Sequence, residues 1–88
     1  MLVSYDNIAQ AVYIELQSDA TIAKTIKVTP ETFVDVDAHG ALIGVELLNP
    51  SAGILRKLAK PYRHPELTTI HLDKLQAAIA WRHRWNLC

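Results

Sequence analysis

Three groups of residues have the types and spacing to do chemistry. Trp81-Arg82-His83-Arg84-Trp85 interleaves cations with aromatics, a pattern that holds phosphates by charge and stacks bases on indole faces. Asp6, Glu15, Asp35 and Glu46 fall on strand-like segments, where alternation can gather carboxylates on one sheet face and let them perturb each other's pKa, as acid–base catalysis requires. Asp35-x-Asp37-x-x-Gly40 opens like a calcium loop, with Glu46 at the twelfth position counted from Asp35.

Each group also has a plainer reading. No spacing rule selects two of the four carboxylates, and a solvated strand face accounts for all of them. A calcium loop needs more oxygen ligands and flanking helices, whereas Leu42 to Val45 reads as strand, so Asp35 and Asp37 are expected to make local turn bonds. His39, His64, His71 and His83 with Cys88 lack the tight ligand spacing of a zinc motif. Cys88 sits on a terminus expected to fray, which suits a nucleophile poorly. The expectation is no metal, no cofactor and no catalytic centre.

Charge is divided along the chain. Residues 1–49 set Lys24 and Lys27 against seven carboxylates, a net of −5, and residues 50–88 set seven Lys and Arg against Glu66 and Asp73, a net of +5. The whole chain is therefore neutral. A +5 tail can dock on a −5 sheet, within one chain or across a dimer, with Trp81 and Trp85 as interface anchors. This reading is favoured over nucleic-acid binding through the tail, because a neutral chain exerts no long-range pull on phosphates.

These residues must be positioned by a small fold. Eighty-eight residues make one domain that buries only about 60–65% of its unfolded surface, so an oligomer interface is plausible from the start. Half the residues are hydrophobic and 20% are charged, which excludes a disordered chain. One cysteine permits no internal disulfide, and no basic leader or long apolar run is present, so a cytoplasmic protein without a membrane span is expected.

The pattern predicts an α+β fold, an antiparallel β-meander of about five strands over residues 2–48 followed by two C-terminal helices. Residues 2–5 form the first strand and Asp6-Asn7 the turn. Residues 10–16 alternate Val12, Ile14 and Leu16 against Ala11, Tyr13 and Glu15. A third strand is expected over Thr21–Val28, with Ile22, Ile26 and Val28 on a face that Lys24 interrupts, and a fourth over Phe33–Asp37. Asp37-Ala38-His39-Gly40 has Asp at its start and Gly where a left-handed residue is needed, as in a type I turn closed by a G1 bulge. Ala41–Leu48 completes the sheet.

Asn49-Pro50 reads as a helix start, and Pro61 ends a helix bearing Ile54, Leu55 and Leu58 on one stripe. Pro61 to Pro65 is expected to be an extended linker. Thr68 or Thr69 is expected to cap a second helix running to about Asn86, with Leu72, Leu75 and Ile79 on one stripe and Trp81 and Trp85 on another. Two apolar stripes call for two partners, the sheet and a second subunit, and hence a homodimer. Candidate interface residues are Trp81, Trp85, Arg82, Arg84, Leu72, Leu75 and Ile79.

Tyr5-Asp6, Ala11-Val12-Tyr13-Ile14, the Asp35-Val36-Asp37-Ala38-His39-Gly40 hairpin and Gly44-Val45-Glu46-Leu47-Leu48 occur in an order that resembles domain-of-unknown-function family 2283, over roughly residues 1–50. Gln10 stands where that family would have an acidic residue. The resemblance implies the β-meander, a prokaryotic source and no catalytic residue. It also implies an antitoxin-like role, because such proteins are sometimes encoded beside small toxins of the RelE kind. The function expected is that of an interaction module, protein-binding or self-associating, with the antitoxin role, nucleic-acid binding and a carboxylate enzyme as alternatives.

Overall fold

The computed structural model describes residues 1–6, 8, 10–48 and 53–70. The chain divides into two compact units, Met1–Asn49 and Pro50–Cys88, at the point where its net charge changes sign.

The first unit is a five-stranded antiparallel sheet made of β1 (Leu2–Asp6), β2 (Ala11–Glu15), β3 (Lys24–Thr29), β4 (Thr32–Val36) and β5 (Leu42–Leu47). The expected five-stranded antiparallel sheet is present, in the spatial order β1-β2-β5-β4-β3. A hairpin β1–β2 and a meander β3–β4–β5 meet where β2 pairs with β5, so β5 lies at the centre and β1 and β3 at the edges. Alternation then sorts the side chains. Val12, Ile14, Val34, Val45 and Leu47 are fully buried on one face, while Tyr13, Glu15, Glu46, Phe33 and Asp35 occupy the other. Burying each of these aliphatic side chains stabilises the sheet by roughly 1.5–3 kcal/mol.

The Asp37 hairpin forms as its residues dictate. Gly40 N–H donates to the Asp37 carbonyl at 3.0 Å, Gly40 adopts φ 82°, and Asp37 N–H donates to the Ala41 carbonyl at 3.0 Å. The Asp37 carboxylate accepts from the N–H groups of His39 at 2.8 Å and Ala41 at 2.9 Å. The Ala41 bond foremost, aided by the His39 bond, holds this carboxyl below its usual range.

The strand limits fall within one residue of expectation except the start of the third strand. The third strand begins at Lys24, not Thr21, because Lys24 already lies opposite Val36, where β4 ends and the Asp37 turn begins. Only Ala23 N–H still reaches the Val36 carbonyl, at 2.9 Å. Residues 21 and 22 thus have no opposite strand, and Ile22 is half exposed instead of sharing a buried face with Ile26. Asp37 itself belongs to the turn and not to β4.

The second unit does not contain the two expected helices among the described residues. It has one short helix, α1 (Ile54–Ala59), and one 3-10 turn, Pro65–Thr69, which pack together around Leu55, Leu58 and Leu67. The helix start expected at Asn49-Pro50 lies outside the described residues, and α1 instead follows Gly53 at φ 92°. Thr68 and Thr69 lie inside the 3-10 turn, and Ile70 after them is extended at φ −86° and ψ 125°. The two threonine hydroxyls donate backward to the carbonyls of Pro65, at 2.7 Å, and Glu66, at 2.6 Å. The remainder of the expected second helix lies outside the described residues.

Pro61 to Pro65 is not an extended linker either. Tyr62 N–H still reaches the Leu58 carbonyl at 3.2 Å, Arg63 N–H the Lys60 carbonyl at 3.2 Å, and His64 N–H the Ala59 carbonyl at 2.8 Å. This is a Schellman ending with Arg63 at φ 55° in the place glycine usually takes. The backbone groups left by α1 are satisfied by curling, which extension would not achieve. His64, at φ −123° and ψ 80°, does leave the α region before Pro65.

Candidate functional site

The sheet's polar face carries two ordered cross-strand rows. Glu15, Gly44, Asp35 and Thr25 lie opposite one another across β2, β5, β4 and β3, and Tyr13, Glu46, Phe33 and Lys27 form the next row. Tyr13 leans from its own row over Gly44 and donates its hydroxyl to Asp35 Oδ2 at 2.8 Å. Thr25 donates to the other oxygen, Oδ1, at 2.5 Å. A side chain at position 44 would run into the Tyr13 ring and hydroxyl, so glycine is what lets tyrosine cross the central strand. Burial, reinforced by the bond to Asp35 and the nearby charges of Asp35, Glu15 and Glu46, pushes the Tyr13 phenol above its ordinary range.

The four carboxylates singled out from the sequence do share this face, with Asp6 opposite Ala11 at one end. Both Asp35 oxygens are engaged by hydroxyl donors, which suits a structural clamp across β2, β5, β4 and β3 better than a proton carrier. Among the described residues no group of three or more His, Cys, Asp and Glu could hold a metal ion. His39 sits on the exposed hairpin, and His64 lies 3.1 Å from the Glu66 carboxylate. His71, His83, Cys88 and the interface candidates Trp81, Trp85, Arg82, Arg84, Leu72, Leu75 and Ile79 lie outside the described residues.

The edges of the sheet differ from each other. On β3, Lys24 stands opposite Val36 on the apolar face and Lys27 opposite Phe33 on the polar face, both exposed. The register of β3 shifts between Lys27 and Thr29, and Pro30 follows. Lysines on both faces, an irregular register and a proline all discourage a further strand from pairing. On β1 the corresponding positions are Val3, opposite Ile14 on the apolar face, and Leu2, opposite Glu15 on the polar face. Leu2 is 60% and Val3 36% exposed, and Met1 and Ile8, at either end, are exposed too. No lysine, arginine or proline occurs in Met1 to Gln10.

This edge is not legible from patterning alone, because a strand-like pattern over residues 2–5 does not give the strand's place in the sheet. The signal lay in the charges. One expected strand carries two lysines and the other four carry none.

Among the described residues no helix is long and apolar enough to cross a membrane. Comparison with known proteins adds a family. The profile described as "Protein of unknown function (DUF2283)" matches residues 2–51, the sheet unit and its exit. Searches of curated proteins and of solved structures give no match. The chain belongs to the DUF2283 family.

Proposed function

We propose that this chain is a small, non-catalytic protein-interaction module that binds by accepting an extended strand along β1. The observation that carries the reading is the contrast between the edges, with Leu2 and Val3 exposed on β1 where β3 presents Lys24 and Lys27. An incoming strand gains main-chain hydrogen bonds along β1 and covers the apolar surface of Val3 and Leu2. The rest of the sheet supports this use. The Tyr13–Asp35–Thr25 bonds brace β2 to β3, so the edge is presented by a fixed platform. The engaged Asp35 oxygens favour an interaction role over a carboxylate enzyme.

A short capped peptide of alternating valine and lysine is a direct probe, since its cations suit the acidic sheet unit. In amide NMR titration it is expected to move the resonances of Leu2 to Tyr5 and leave Thr25 to Val28 unmoved. The double variant Leu2→Lys/Val3→Lys, which copies the pattern of β3 onto β1, is expected to abolish the shifts. Shifts on β3, or none on β1, would overturn the proposal.

A further inference from the structure

We infer that the strand accepted by β1 is the β1 of a second copy, paired antiparallel about Ser4. The inference rests on the strand-addition reading above and names its occupant. In this register Val3 of each copy lies opposite Tyr5 of the other, both on the apolar face, since Val3 and Tyr5 lie opposite Ile14 and Val12 of β2. β-branched against aromatic is among the favourable cross-strand pairs. The half-buried Tyr5 and exposed Val3 thereby cover each other twice across the two-fold axis. An antiparallel edge pair keeps both apolar faces on one side, so the two sheets continue as one.

Charge permits the pairing. Leu2 to Tyr5 contains no ionisable group except the Tyr5 phenol, and the two Asp6 carboxylates fall at opposite ends of the pair, so like charges never face each other. At longer range the −5 of the sheet unit that carries β1 opposes the approach of a second copy, a repulsion that salt screens and that further weakens the pairing. A strand of five residues is short against the roughly 1,200–2,000 Å² of a standard interface. The dimer made by this contact is accordingly weak and depends on concentration.

The test is a cross-link in the full chain. Ser4→Cys, with Cys88→Ser so that the introduced thiol is the only one, brings two cysteines to the two-fold axis. Paired Cα atoms there stand about 4.5–5.5 Å apart, inside the range a disulfide spans. Under a glutathione redox buffer, Ser4→Cys is expected to give a covalent dimer whose yield rises with protein concentration. Thr25→Cys/Cys88→Ser, on the other edge, is expected to give no covalent dimer. Sedimentation of the unmodified chain should show the matching reversible dimer, lost in Leu2→Lys/Val3→Lys. No cross-link at position 4, with β1 resonances still moved by the valine–lysine peptide, overturns the second copy as occupant and leaves strand addition standing. Absence of both the cross-link and the peptide shifts overturns the two together.

Discussion

β3 places Lys24 on the apolar face and Lys27 on the polar face of the sheet, whereas β1 places Val3 and Leu2 on the same two faces. Both strands end a sheet, and both offer a row of main-chain groups to any neighbour. On β3 a partner strand would have to cover two ammonium groups and follow a shifted register. On β1 it would cover apolar side chains that water already disfavours. The difference lies in four side chains, and it assigns opposite roles to two strands of similar length. β3 is also tied to the sheet's middle, through Thr25 to Asp35 and on to Tyr13.

The comparison can be broken at β3 with the largest effect. Lys24→Val with Lys27→Val removes both charges and leaves a second apolar edge, so each molecule could add strands on two sides. Light scattering is expected to show open-ended aggregation, whereas the unmodified chain is expected to go no further than the proposed dimer, and a soluble double variant would contradict the role given to the lysines.

The next effect concerns the brace between the edges. Tyr13→Phe removes a bond to a carboxylate, worth about 1.5–3 kcal/mol in general, and the lower end is expected here because the site is half exposed. Urea denaturation measures it. The phenol's pKa is raised in the folded state, so its contribution is fully present below about pH 10, the unfolded value. It is lost as pH rises through the folded value. Stability at alkaline pH should therefore fall more steeply in the unmodified chain than in Tyr13→Phe. Gly44→Ala should push the ring aside and cost about 1 kcal/mol net, because losing the Tyr13 bond is partly offset by alanine's advantage over glycine in a strand. A stabilised Gly44→Ala would mean that the tyrosine moves away at no loss.

Smaller again is the effect of Leu2→Lys/Val3→Lys on folding, expected within about 0.5 kcal/mol, since both positions are exposed. Its effect on association should be complete, and that separation of stability from binding sharpens the contrast. Asp37 offers a control remote from either role. Its lowered pKa stabilises the hairpin above the ordinary carboxylate range and ceases to do so as pH falls through the folded value. Asp37→Asn should flatten that acid-side dependence while leaving dimerisation at neutral pH intact.

The sequence was most readable where one residue determines one backbone shape. Asp37 and Gly40 announce their turn, and Val12 and Ile14 alternate against Tyr13 and Glu15 as the sheet requires. It was least readable where the outcome depends on a distant partner. Thr21 and Ile22 have strand-like composition, yet β4 has already ended opposite them. Gly44 looks like a weak point in a strand until the register brings Tyr13 over it. Arg63 conceals a helix ending normally marked by glycine, and Thr68 and Thr69 spend their hydroxyls on carbonyls behind them. The contrast between edges belongs to the same class. Lysine content was visible from the start, but only the order β1-β2-β5-β4-β3 shows that the two strands concerned are the ones left at the ends.

Amide hydrogen exchange, followed residue by residue at a low and a high concentration of the unmodified chain, tests the central claim most directly. The outward N–H groups within Leu2–Tyr5 are expected to slow as concentration rises, while those of Thr25, Ile26 and Lys27 keep the same rates. Slowing on β3, or rates on β1 that ignore concentration, would contradict the account.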